Sequence, residues 1–190
     1  EIDENYHPTL ELIGDLAKTI SAITDKIEGK NYQVTERAVY FSCRQNLLSD
    51  FSEYDSDSDR ETIRPQQVLS LVRKSLGPRD ILLSDVGAHK MWIARHYHCH
   101  EPNTCLIPNG FCSMGFALPA AIAASIVEPK KRILGTAGDG GFLMNLQEME
   151  TARRLDSNLV MMVWEDKAFG LISWKQEDSY GHHTDLSFGN

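Results

Sequence analysis

Two short runs in this 190-residue chain carry side chains able to do chemistry together. The first is RILGTAGDGG, which places Asp139 inside a glycine-rich turn; the second is NLVMMVWED, which ends on Asp166. The two acids stand 27 residues apart. That spacing accommodates a turn, a short helix, a second turn and a returning strand. If the flanking strands are neighbours, about 4.8 Å apart, both carboxylates face one small volume. Two carboxylates in a dry cleft repel unless one is protonated or a cation lies between them. Mg2+ suits such a pair, because it takes one or two carboxylates together with water and phosphate oxygens. The Gly138–Gly141 turn supplies the other half of a phosphate site, since glycines let backbone N–H groups approach a diphosphate. A helix starting near Leu143 aims further N–H groups at the same place. The residues therefore predict a metal-plus-diphosphate site. Glu165 precedes Asp166 on the strand and points to the opposite face, so it is given a supporting role rather than a metal contact.

The elements that position these acids follow from periodicity and punctuation. Segments 65–76 and 113–127 read as helices, the second rich in small residues for close packing on a sheet. Segments 80–87, 103–110, 131–141 and 158–166 read as strands running into turns, and 143–155 as one helix. The last strand is apolar throughout, which predicts burial on both faces. This alternation predicts an α/β fold: a doubly wound, mainly parallel sheet with helices on both faces. Upstream, Leu12, Leu16, Ile20, Ile23 and Ile27 recur at helical spacing, and Thr9 after Pro8 reads as the N-cap. The stretch SDFSEYDSDSDRE (49–61) is acidic and serine-rich, a linker composition.

Composition narrows the function classes. The formal net charge is -8 with no basic stripe, which argues against nucleic-acid partners. No apolar run is long enough to span a membrane. The polar start EIDENYHPTL lacks a signal-peptide pattern, and without an initiator Met the chain is expected to begin inside a longer product. Cys43, Cys99, Cys105 and Cys112 show no CxxC spacing, so free thiols in a reducing, cytoplasmic setting are expected. In HYHCH, His96, His98 and His100 would share a face if extended and could bind zinc, but closely spaced exposed histidines are more often solvated. His182 and His183 lie in a glycine-flanked stretch expected to be solvent-exposed.

Beyond these physical signals, the run GDGGFLMNLQEMETARRLDSNLVMMVWEDKAFG resembles the cofactor motif of thiamine-diphosphate enzymes. SDVGAHKMW (84–92), NGFCSMGFALPAAIAA (109–124) and HTDLSFGN (183–190) resemble further elements of that family's acetolactate synthase branch, in the family's order. The resemblance implies that Asp139, Asp166 and the Ala168 carbonyl ligate Mg2+. It implies that Gly87, Ala88 and His89 lie against the diphosphate, with Gly138, Gly140 and Gly141 approaching through their backbone. Met114 would bend the cofactor into a V, the Cys112 carbonyl would meet its aminopyrimidine, and Ser113 and Phe169 would flank it. The implied reaction decarboxylates a 2-keto acid, pyruvate, and transfers the acyl carbanion to a second 2-keto acid, with the cofactor as electron sink. The near alternatives are another decarboxylase, oxidase or carboligase of the family, or a non-catalytic module that holds Mg2+ and a diphosphate.

There are departures. Glu165 stands where the family usually has Asn, and Ala88 where the branch often has Gln or Ser. No segment resembles the pyrimidine-binding domain, which carries the activating Glu, so no catalytic residue is assigned within this chain. The resemblance implies a second subunit or a further domain completing the site, and a homodimer or homotetramer at full length; FAD dependence is undetermined. The implied organisation is a middle-domain closing helix over 1–30, a linker over 31–60, and a cofactor-binding domain over 61–190 that is incomplete at its C-terminus.

Overall fold

The computed structural model describes residues 8–30, 38–52 and 62–189. The chain divides into two units, Glu1–Arg44 and Gln45–Asn190. In the first, helix α1 spans Leu16–Ile27 and none of its residues is buried. Its N-cap is Asp15, not Thr9: the Asp15 carboxylate accepts from Lys18 N at 2.9 Å. A carboxylate at the start of a helix satisfies an otherwise orphaned N–H and faces the positive end of the helix dipole. A second helix, α2, spans Ala38–Ser52, inside the stretch expected as linker. Residues 53–61, the most acidic part of that stretch, lie outside the described residues.

The remainder is built on four parallel strands: β1 (Ile81–Ser84), β2 (Cys105–Leu106), β3 (Ile133–Gly138) and β4 (Leu159–Trp164), in the order β2-β1-β3-β4. Helix α3 (Pro65–Ser75) precedes the sheet, with Pro65 at its first turn, where a missing N–H costs nothing. Helix α4 (Ala88–His96) links β1 to β2, and α5 (Ala117–Val127) links β2 back across β1 to β3. Helices α6 (Asp139–Met144) and α7 (Glu148–Arg154) link β3 to β4, and α8 (Gly170–Tyr180) follows.

Alternation along the strands sorts the core into two layers. Leu82 and Leu134 face Leu69, Ile93 and Tyr97 from α3 and the α4 end. Ile81, Leu83 and Ile133 face Ala121 of α5 on the other side. The split has a topological cause. The chain moves one way from β1 to β2 and the other way from β2 through β3 to β4. Right-handed crossovers then place their helices on opposite faces. Gly135 of β3 has no Cβ because Met161 of β4 and Ala121 fill that space.

Several expectations change. Strand β4 is not buried on both faces: Val160 and Val163 are exposed, since β4 is the outer strand of the described sheet. The helix expected over 143–155 is two helices separated at Asn145–Gln147, and the first begins at Asp139 rather than near Leu143. The helix expected from 113 begins at Ala117, and the strand expected over 103–110 contracts to Cys105–Leu106. All four cysteines are free thiols.

Candidate functional site

The strand order reverses between β1 and β3, and in open α/β sheets ligands sit beyond the carboxyl ends of strands at such a switch point. A cleft of about 420 Å3 lies there. Its walls come from the ends of β1 (Val86–His89), β3 (Gly138–Gly141) and β4 (Trp164–Asp166), with Cys112, Met114 and the Ala168–Ile172 segment. Gly87, Ala88, His89, Cys112, Met114, Gly138, Asp139, Gly140, Gly141, Asp166, Ala168 and Phe169 are thus brought together around one space. Ser113 is exposed and stands outside that lining.

Asp139 and Asp166 reach the cleft because β3 and β4 are hydrogen-bonded neighbours with Gly138 opposite Trp164. Asp139 is 4% exposed. Its Oδ1 accepts from Gly140 N at 2.8 Å, and its Oδ2 accepts from Lys167 N at 2.8 Å. The second bond ties the first turn of α6 to the residue after Asp166. Asp166 is exposed, and its Oδ1 accepts from Ala168 N at 3.2 Å. Ala168 pairs with Ser187 in an antiparallel bridge whose hydrogen bonds run through Lys167 O and Phe169 N. In that geometry Ala168 turns its own N–H and C=O away from Ser187, toward the Asp166 side. Two carboxylates and a carbonyl, all hard oxygens, are the groups at this place that could hold a cation. That chemistry suits Mg2+ with phosphate oxygens filling the other positions.

His89 supplies a second observation. It is 3% exposed, and its Nε2 has no hydrogen-bond partner. Burial lowers its pKa to about 4, against a hydrogen bond to the Asp85 backbone that favours the charged form, so the ring is neutral at pH 7. The ring sits between two glycines. A Cβ on Gly87 would meet His89 Cε1 at 2.8 Å, and one on Gly138 would lie 3.7 Å away. Gly87 also has φ +146, a conformation that disfavours other residues. A buried polar atom without a partner is costly, and one lining a cleft fits an incoming polar ligand.

Gly140 is needed for the opposite wall. A Cβ there would stand 2.8 Å from Phe169 Cε1 and 3.3 Å from Phe188 Cζ. The two rings pack at 5.1 Å, and Phe188 N donates to Lys167 O, so the 186–188 segment packs against 167–169. Glu165 also lines the cleft, is exposed, and lies 3.7 Å from Lys167 Nζ.

Sequence reasoning missed Trp92, Trp164 and Ile172 of the lining. Trp164 donates from Nε1 to Thr136 Oγ1 at 2.7 Å and meets Trp92 edge-on at 5.5 Å, which builds an aromatic flank. It also missed Asp85 and Asn145, whose partners are 30 residues away in sequence. The histidine run does not form a ligand set. His96 ends α4, the rings of His98 and His100 pack at 4.8 Å, and no group of three or more His, Cys, Asp or Glu poised for a metal occurs among the described residues. His182 and His183 are exposed, and His183 Nδ1 lies 3.1 Å from Glu177. No helix among the described residues is long and apolar enough to cross a membrane.

Residues 85–189 match the family described as thiamine pyrophosphate enzyme, C-terminal TPP binding domain. The acetolactate synthase of Bacillus subtilis (strain 168) is 34% identical over 199 residues, covering 100% of this chain and 33% of that protein. The catabolic acetolactate synthase of Raoultella terrigena is 28% identical over 187 residues, covering 98% of this chain and 34% of that protein. The chloroplastic acetolactate synthase 2 of Nicotiana tabacum is 25% identical over 193 residues, covering 100% and 29%. The chain spans about a third of the length of these relatives.

Proposed function

The chain belongs to the thiamine pyrophosphate enzymes, as their C-terminal TPP binding domain, and from that premise we propose that it anchors thiamine diphosphate through Mg2+ within an acetolactate synthase-like enzyme. The observation that carries the reading is the convergence of Asp139, Asp166 and the unpartnered His89 Nε2 on one cleft at the sheet's switch point. Asp139, Asp166 and the Ala168 carbonyl would hold the metal. Gly87, Ala88 and His89 from the β1 side, with Gly138, Gly140 and Gly141 from the β3 side, would take the diphosphate.

When bound, the cofactor supplies an electron sink for decarboxylating a 2-keto acid. The chain's own residues bind and orient it. Met114, Cys112, Trp92, Trp164 and Phe169 line the cleft and supply its apolar surface. Low polarity strengthens the interactions of the charged ends that the acids and metal hold. The group that activates the aminopyrimidine would come from a pyrimidine-binding domain or a second subunit. Residues 61–190 form the cofactor domain in this reading, and 1–30 the closing helix of a preceding one.

The proposed reaction joins pyruvate, after loss of CO2, to a second 2-keto acid. Incubation of the full-length protein with pyruvate, thiamine diphosphate and Mg2+, followed by product identification, tests it. Acetolactate is the expected product. Acetaldehyde or acetate alone would move the protein to a decarboxylase or oxidase of the same family.

A further inference from the structure

Asp85 follows β1, is 1% exposed, and carries a carboxylate that no part of the proposed chemistry uses. Its Oδ1 accepts from Val86 N at 2.7 Å, and its Oδ2 accepts from Gly115 N at 2.8 Å. The backbone N–H groups of Phe116 and Ala117 also favour its charged form. Helix α5 has no side-chain cap at Phe116, and Asp85 holds the turn just before it from 30 residues upstream. From the opposite side, Asn145 Nδ2 donates to the Gly115 carbonyl at 2.7 Å. The Gly115 peptide is thus gripped at N–H and C=O by residues from two different elements. Gly115 has φ +83, and a Cβ there would stand 2.6 Å from Asn145 Nδ2, so only glycine fits the grip. Gly141 approaches the same carboxylate: a Cβ on it would lie 3.0 Å from Asp85 Oδ2.

One buried carboxylate therefore joins the end of β1, the turn carrying Met114, and the glycine segment after β3. All three contribute to the lining of the cleft. Burial pushes the Asp85 pKa up, and the N–H groups of Val86, Gly115, Ala117 and Phe116 oppose that shift. A buried acid is costly unless its hydrogen bonds are met, and here the met bonds lead to the cleft walls.

Resting on the reading of the cleft as a thiamine diphosphate site, we propose that Asp85 and Asn145 are positioning residues that clamp the Gly115 peptide and so set Met114 against the thiamine half of the cofactor. Asp85→Asn is near-isosteric. Its remaining oxygen keeps the Val86 bond, while its amide N–H2 faces the Gly115 N–H and repels it. Asn145→Ala leaves every Asp85 bond intact; it frees the Gly115 carbonyl and removes a long, exposed contact from Gln147 Nε2 to Asn145 Oδ1 at 3.4 Å. Neither change touches Asp139 or Asp166.

Calorimetry on the intact protein with Mg2+ separates the halves of the ligand. Thiamine diphosphate and inorganic diphosphate are titrated into wild type and both variants. Loss of a charge-assisted bond predicts that thiamine diphosphate binds about tenfold or more weakly in Asp85→Asn. Asn145→Ala should weaken it in the same direction and by less, while inorganic diphosphate stays within about twofold in both variants. A parallel loss of both ligands, or no loss of either, overturns the clamp. If Asp85→Asn does not fold, the Asn145→Ala comparison decides alone, since that variant disturbs one partly buried bond and one exposed contact. Wild-type protein that binds neither ligand overturns the cofactor assignment and the clamp together, whereas intact wild-type binding with parallel loss in the variants overturns only the clamp.

Discussion

His89 makes the stability of the fold depend on pH in a calculable way. In the folded chain its pKa is lowered from 6.5 to about 4 by burial. The sign follows from which state binds more protons. Between these values the unfolded chain takes up a proton at this ring and the folded chain does not, so stability falls as pH falls. At 1.36 kcal/mol per unit the full effect is about 3 kcal/mol below pH 4, and about 2 kcal/mol of it is lost between pH 7 and pH 5. Asp85 acts in the opposite sense, because burial raises its pKa and the folded state then holds the extra proton. The perturbation that isolates the imidazole is His89→Gln, which keeps a polar side chain and cannot titrate. Urea unfolding of both proteins at constant ionic strength, from pH 7.5 to pH 4.5, gives two stability curves. Wild type should lose about 2 kcal/mol more than His89→Gln between pH 7 and pH 5. Parallel curves would refute the burial of a neutral ring beside the glycines.

Two further substitutions probe the scaffold. Gly140→Ala drives a methyl against Phe169 and Phe188, so it should cost about 1–3 kcal/mol and narrow the cleft. Thermal melts and thiamine diphosphate titration read both effects, and a variant with wild-type melting and affinity would show that the rings yield freely. Leu82→Ala empties a fully buried site in β1, where Leu82 packs with Leu69, Ile93 and Leu134. Destabilisation of about 2–5 kcal/mol is expected in urea, and a loss under about 1 kcal/mol would mean that the layer is poorly packed.

The parts of the fold legible in the sequence are those written in local patterns. Strand β3 reads as an apolar run ending in glycines, and α3 as a periodic segment opened by Pro65. The adjacency of β3 and β4 is compatible with the 27 residues between Asp139 and Asp166, which leave room for a helix and a returning strand. Helix α4 was not foreseen because it buries only His89 and Ile93, four residues apart, and offers no apolar stripe. The exposure of Val160 and Val163 on β4 is not legible because an apolar strand reads alike at the edge and the centre of a sheet. The break after Met144 is a tertiary effect: Asn145 leaves the helix and turns its amide to Gly115. In the sequence Asp85 reads as part of a turn, since nothing local discloses that its partner lies 30 residues on.

The central claim is that Asp139 and Asp166 together hold a metal that holds the diphosphate. Titration of thiamine diphosphate into the protein with Mg2+, and again with the metal chelated, measures it most directly when repeated on Asp139→Asn combined with Asp166→Ala. Binding that requires Mg2+ in the wild type and vanishes in the double variant, with far-UV dichroism unchanged, is the predicted result. A double variant that binds the cofactor as tightly as wild type, or a wild type indifferent to Mg2+, would contradict it.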